Sequence, residues 1–287
     1  MSKVGIIGGS GLYDMEELED KKYIKVNTPF GKPSDEFLSA KLEGKEIIFL
    51  SRHARGHRLS PSAINYRANI FGMKFLGVER IISIAACGSL KDKYRPLDFV
   101  IPDQFVDRTN QARKYTFFDE GMVVHINFAY PICRDLANLV YEAARKVGAN
   151  VHFGGSYLNI EGPQFSTKAE SNLYRNWGMD IIGMTNLTEA RLAREAELCY
   201  ATLAAVTDYD CWHESHQTVT VEMILDNLNR NVANSKRILK ELIPSLAEER
   251  KCSCSEALKY SIITNPELIP KRTKKKLGII IDKYIKK

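Results

Sequence analysis

The sequence predicts an α/β protein, a single-domain sandwich in which helices flank a mixed central sheet. Three observations lead there. Short β-rich apolar runs alternate with amphipathic helical patterns along most of the chain. Several of those runs end in polar or glycine-containing segments that bring reactive side chains to strand ends. No internal repeat or linker divides the 287 residues, so residues 1–287 read as one domain with residues 255–287 as a helical extension.

The strands are expected over residues 4–7, 47–50, 80–85, 99–101, 151–160, 180–184 and 200–206. The first helix opens with Ser60 as N-cap and Pro61 at its first position, puts Ile64, Ala68, Phe71 and Phe75 on one face, and stops at Gly77. Others follow over residues 134–147, 166–177 and 188–198. A longer one, residues 221–242, starts after Thr220 as N-cap and is apolar at Ile224, Leu225, Leu228, Val232, Ile238, Leu239 and Leu242.

Charge and cysteine content narrow the function classes. The net charge of +6 gathers late, in Lys271-Arg272-Thr273-Lys274-Lys275-Lys276 and Lys286-Lys287, which reads as a solvated helix face and not as a nucleic-acid surface. There is no run of 18 or more apolar residues, and Met1-Ser2-Lys3-Val4 leads straight into a strand, so a cytoplasmic, membrane-free protein is expected. Six cysteines, Cys87, Cys133, Cys199, Cys211, Cys252 and Cys254, lack paired C-x-x-C spacing, and His53 and His57 have no acid or thiol nearby in sequence. No metal site is therefore expected. Few glutamines and many lysines lean towards a thermophile, where intracellular disulfides occur.

The most informative pattern is Thr207-Asp208-Tyr209-Asp210-Cys211-Trp212 at the end of an apolar strand. Residues two apart in a strand share a side, so both carboxylates can face one ligand. A buried pair repels, which raises the pKa of at least one acid and suits it to protonate a leaving group. Gly8-Gly9-Ser10-Gly11 after the first strand is an anion-holding turn or a plain structural one; a dinucleotide fingerprint fits poorly, because Asp14 stands at the third glycine position. Ser51-Arg52-His53-Ala54-Arg55-Gly56-His57-Arg58 is a phosphate grip or a charged surface loop. Phe165 and Ser166 follow Glu161-Gly162-Pro163 as a base-stacking platform or as core and cap. Met184 and Thr185 end another strand with a soft apolar surface and a hydroxyl.

Taken together, Gly5-Ile6-Ile7-Gly8-Gly9-Ser10-Gly11-Leu12, Ser51-Arg52-His53, Asn65-Tyr66-Arg67-Ala68-Asn69-Ile70, Ala86-Cys87-Gly88-Ser89-Leu90, Asp103-Gln104-Phe105, Glu161-Gly162-Pro163, Met184-Thr185 and the aspartate segment resemble the trimeric class of purine nucleoside phosphorylases, and within it the 5'-methylthioadenosine phosphorylases. The likeness runs to about Ile243. It implies a phosphorylase/hydrolase-like sandwich and reversible phosphorolysis of a small-molecule nucleoside, with inorganic phosphate as co-substrate and no cofactor. By this resemblance Ser10, Arg52, His53, Ala85, Ala86 and Thr185 hold phosphate, and Asp208 is the general acid. Asp210, Tyr209, Ser166 and Phe165 meet the base, Met184 lies against the ribose, and Val221 walls the 5'-pocket. His125 reaches across the interface of a homo-oligomer, a trimer or dimer of trimers. Two acids favour a 6-aminopurine over a 6-oxopurine. Ser10 for threonine, Gly183 and Asn186 around Met184-Thr185, and Ala85 without a hydroxyl depart from the family pattern and leave room for adenosine, inosine or guanosine as substrates. The resemblance also implies a Cys133–Cys199 disulfide and a C-terminal Cys252-Ser253-Cys254 element. A nucleoside- or dinucleotide-binding protein without phosphorolysis is the rival class.

Overall fold

Among the described residues, eleven strands and six helices follow one another. They are β1 (Lys3–Gly8), β2 (Glu19–Ile24), β3 (Phe37–Leu42), β4 (Lys45–Ser51), α1 (Tyr66–Phe75), β5 (Val78–Ser89), β6 (Phe99–Ile101), β7 (Gln104–Arg108), α2 (Arg134–Lys146), β8 (Val151–Phe153), β9 (Ser156–Ile160), α3 (Lys168–Asn176), β10 (Ile181–Gly183), α4 (Asn186–Glu195), β11 (Cys199–Asp208), α5 (Val221–Ser245) and α6 (Lys271–Ile281). This computed structural model describes residues 3–9, 11–12, 15–110, 112–213 and 221–285, without the side chains of residues 221–224. Ser10, Thr220 and the side chain of Val221 lie outside the described residues.

All eleven strands form one mixed sheet in the order β2-β3-β4-β1-β5-β10-β9-β7, with β11 joining β5 to β6 and β6 pairing with β8. β5 is the branch point: β1 and β11 run parallel to it, while β10 meets its last two residues antiparallel. β4 runs parallel to β1, so β1, β4, β5 and β11 deliver their C-terminal ends to one edge, where open α/β sheets bind ligands. β11 is buried at every position but its last. Helices on both faces explain its continuous apolar run.

The expected strands and helices all form, with shifted boundaries. Residues 151–160 split into β8 and β9 because Gly154 and Gly155 take positive φ of 84° and 116°. β2, β3 and β7 were not foreseen: β2 reads EDKKYI and is almost wholly exposed, so no apolar alternation marks it. Ser60-Pro61 opens only a single 3-10 turn at Pro61–Ala63. The N-cap of α1 is Asn65, whose side chain accepts from the Ala68 N–H at 3.1 Å, and Phe75 is 59% exposed instead of facing the core. α3 starts after Thr167, which forms a capping box with Glu170; Ser166 is thereby released from capping.

All six cysteines are free thiols. The Cys133–Cys199 disulfide is not formed; both sulfurs belong instead to a four-thiol cluster with Cys252 and Cys254. No helix among the described residues is long and apolar enough to cross a membrane.

Candidate active site

A cavity of about 500 Å³ opens at the C-terminal edge of the parallel strands. Arg52 and His53 reach it from the end of β4, Ala85 and Ala86 from β5, and Met184 and Thr185 from the β10–α4 turn. Asp208 and Asp210 enter from the end of β11, and Phe165 and Ser166 from the loop before α3. Ten of the residues singled out in the sequence thus line one space. Ile160, Pro163, Ile182, Leu59 and Pro61 supply an apolar wall that sequence patterns did not mark as ligand-facing.

At one wall Arg52 is 2% exposed and tightly committed. Its Nε and Nη2 donate to the two carboxylate oxygens of Glu189, Nη2 also to Ser83 Oγ at 2.6 Å, and Nη1 to the Ile84 carbonyl at 3.0 Å. Burial opposes its charge, and the Glu189 carboxylate overrides that and raises its pKa. Glu189 in turn accepts from Ser83 Oγ at 2.7 Å and Tyr200 Oη at 2.9 Å. Asn186 Nδ2 donates to Ser83 Oγ at 2.9 Å. The bidentate fork expected to grip phosphate is therefore occupied by Glu189. Of the five guanidinium N–H donors, one on Nη1 is left without an acceptor among the described residues. Glu189 escaped sequence reading, although a charged residue in the stripe Asn186, Glu189, Ala190, Ala193 on an otherwise buried helix face is an available signal.

His53 stacks on His57 with ring centroids 4.3 Å apart. Its Nδ1 lies 2.8 Å from the Leu59 carbonyl, an acceptor only, so Nδ1 carries the proton. Desolvation and the Arg52 charge push the imidazole down to about 4. In the neutral ring Nε2 is then an acceptor, the reverse of the donor role expected for a phosphate ligand. Thr185 stands directly before α4, whose N-terminal end borders the cavity and favours an anion through its backbone dipole.

The opposite wall holds the aspartates. A bulge between Val206 and Asp208 aims the Asp208 side chain against Gly88, where an added Cβ would stand 3.0 Å from Asp208 Oδ1. β11 stops at Asp208, and Asp210 lies beyond it with φ 51°. The two acids share the cavity through this turn and not through strand pleating: Asp208 Oδ1 accepts the Asp210 N–H at 2.8 Å. Thr207 Oγ1 donates to Asp208 Oδ2 at 2.7 Å. Burial raises the Asp208 pKa despite both hydrogen bonds. Burial, aided by the Asp208 charge, pushes Asp210 up to about 6, against a counter-pull from the Ser171 and Ser166 hydroxyls. Those hydroxyls fall short of hydrogen-bonding geometry, so Asp210 Oδ2, Ser166 Oγ and Ser171 Oγ are buried without partners. From behind, Asn227 and Asn231 of α5 donate to the carbonyls of Thr207 at 2.7 Å and Val206 at 2.9 Å, which fixes the strand end.

Met184 packs against Gly162, where any Cβ would stand 2.4 Å from its sulfur; only glycine allows this approach, and Gly162 also has φ 67°. Arg113, another residue sequence reading missed, clamps that turn by donating to the carbonyls of Met184 and Glu161. Two expected residues do not reach the cavity. Tyr209 turns away and stacks on His213 at 4.5 Å. His125 is exposed and ties its backbone to Ser261 at 2.8 Å.

Residues 3–244 match the phosphorylase superfamily. The S-methyl-5'-thioadenosine phosphorylase of Geobacter sulfurreducens is 55% identical over 282 residues, 98% of this chain and 99% of that one. The crystal structure of a methylthioadenosine phosphorylase from an antarctic soil metagenomic library superposes with a TM-score of 0.92 at 44% identity, covering 97% of this chain and 98% of that one. A variant of the adenosine/methylthioadenosine phosphorylase from Schistosoma mansoni, in complex with adenine, gives a TM-score of 0.84 at 37% identity over 90% of this chain and 96% of that one. Fold, cavity and near full-length identity agree: the chain belongs to the phosphorylase superfamily.

Proposed function

We propose that this protein catalyses the reversible phosphorolysis of 5'-methylthioadenosine to adenine and 5-methylthioribose 1-phosphate. The observation that carries the reading is one cavity with an anion-favouring wall at Arg52, His53 and Thr185 facing two burial-raised carboxyls at Asp208 and Asp210. A phosphate oxygen bonds to the anomeric carbon as the bond to purine N9 breaks, and the released electron pair passes into the purine ring. Asp208, whose pKa burial raises, transfers a proton to N7, and the carboxylate that remains is reprotonated from solvent. The oxocarbenium-like sugar is stabilised by the phosphate beneath it. Asp210, largely ionised at neutral pH, accepts from the exocyclic amine, and Ser166 assists at the base edge. His53 Nε2 accepts the proton of a protonated phosphate oxygen, while Arg52 Nη1, Thr185, Ser10 and the backbone at Ala85 and Ala86 donate or line the site.

Phe165 at the mouth stacks on the base and Met184 packs on the ribose. Phosphate is the co-substrate and the reaction runs without a cofactor, in the cytoplasm. Val221 and, from a neighbouring subunit, His125 complete the 5'-pocket in a homotrimer or a dimer of trimers. Adenosine is the second substrate, supported by the adenosine/methylthioadenosine activity in the name of the Schistosoma relative. Incubating the protein with 5'-methylthioadenosine, with and without phosphate, should release adenine only when phosphate is present. Phosphate-independent release, or none, overturns the reading.

A further inference from the structure

Far from the cavity, four thiols from three separate segments converge. Cys133 precedes α2, Cys199 opens β11, and Cys252 and Cys254 flank the first residue of the 3-10 turn Ser253–Glu256. Their Sγ atoms all lie within 4.8 Å of one another, three of the residues are buried, and the fourth is half-buried. Four sulfurs around a zinc ion, at the usual Zn–S length of about 2.3 Å, stand about 3.8 Å apart in a tetrahedron. From this juxtaposition we propose that Cys133, Cys199, Cys252 and Cys254 bind a structural zinc ion, which revises the expectation drawn from spacing alone.

Sequence spacing concealed the set because only Cys252 and Cys254 are neighbours in the chain. The surroundings suit thiolates. Cys133 stands at the partially positive N-terminal end of α2, a helix of 13 residues. On binding, each remaining S–H gives its proton to solvent as a Zn–S bond forms, and the tetrathiolate site carries a net negative charge. Arg250 lies against it, with Nη1 3.9 Å from Cys199 Sγ and anchored to the Glu197 carbonyl at 2.9 Å.

The position suggests what the ion does. Cys199 and Asp208 mark opposite ends of β11, about 30 Å apart at the usual strand rise, so the metal takes no part in the chemistry. It staples the segment after α5 to the roots of α2 and β11. That segment is also held by burial of Leu258, Ile269, Leu277, Ile280 and Ile281 in the core and by polar contacts such as Leu258 N–H to Glu197 at 3.1 Å and Tyr284 Oη to the same carboxylate at 2.6 Å.

The test uses the full-length chain purified under reducing conditions. Elemental analysis should find one zinc per chain, released stoichiometrically by a mercurial reagent. Cobalt exchanged into the reduced protein should show the thiolate-to-cobalt charge transfer and visible bands of a tetrahedral four-sulfur site. Cys252→Ser should lose or weaken the metal, and its fold is checked by circular dichroism. If that variant fails to fold, the wild-type cobalt spectrum still decides. Reduced protein that gives no such spectrum overturns the proposal, and so does a metal-free chain whose mass shows these four cysteines paired in disulfides that re-form in the presence of zinc.

Discussion

The two walls of the cavity treat buried charge in opposite ways. Around Arg52 the polar groups are paired: Glu189, Ser83, Asn186 and Tyr200 close a hydrogen-bonded network that leaves the guanidinium one free N–H. Around Asp210 the polar atoms are left open, with Oδ2 and the Ser166 and Ser171 hydroxyls buried and unpartnered. A satisfied buried ion pair is rigid, and its removal is costly. Unsatisfied buried groups carry a desolvation penalty that a polar ligand or an ordered water relieves. One wall is therefore scaffold with a single functional edge, and the other offers polar atoms to whatever enters the cavity.

The comparison can be broken most sharply at the acid. Asp208→Asn keeps shape and removes the proton donor, so turnover of adenine nucleosides should fall by about 10²- to 10⁴-fold with the fold unchanged. Near-normal turnover would exclude Asp208 as the acid. At the paired wall, Glu189→Ala strands the Arg52 charge and should cost about 3–5 kcal/mol of stability in chemical denaturation. A loss below about 1 kcal/mol would show that the network is not what holds Arg52.

The smallest effects are expected at the open wall. Asp210→Asn turns an acceptor into a donor and should shift kcat/KM from adenosine towards inosine by about 10- to 100-fold; an unchanged ratio removes Asp210 from base recognition. The same variant reports on stability. Because folding raises the Asp210 pKa from 3.8 to about 6, the folded state binds the proton more tightly. The group therefore destabilises the fold progressively as pH rises across that window, by at most about 1.4 kcal/mol per pH unit. Burial pushes Glu195 up to about 7 with the same sign, and the difference between wild type and Asp210→Asn cancels it. That difference should grow from pH 4 to 6 and then level off.

Legibility in the sequence followed locality. β1, β4, β5, β6 and β11 announce themselves because buried parallel strands are continuous apolar runs, and α2 and α5 because their faces repeat with helical period. β2 has no such signature, since it lies at the exposed edge of the sheet with β3 as its one strand partner among the described residues. Asp208, Asp210, Arg52 and Thr185 could be singled out because reactive residues at the ends of apolar strands are conspicuous. Arg113 could not, since it acts on a segment far along the chain, and Glu189 offered only the weaker signal of a charge on a buried helix stripe. Cap positions slipped by several residues at α1, where Asn65 displaced Ser60, because side-chain geometry and not residue type decides which polar group closes a helix.

By itself the sequence determined the α/β class, the strand ends that carry chemistry and the presence of two acids where a core strand needs none, because periodicity and polarity are properties of neighbouring residues. Only the tertiary structure decided that Arg52 is half spent on Glu189, that His53 offers an acceptor, that a turn brings Asp210 beside Asp208, and that four scattered cysteines meet. The Arg52–Glu189 pair and the cysteine cluster depend on residues remote in the chain, and the Asp208–Asp210 turn and the His53–Leu59 contact on local backbone geometry that residue type does not fix; desolvation and hydrogen bonding act through spatial distance and not through sequence separation.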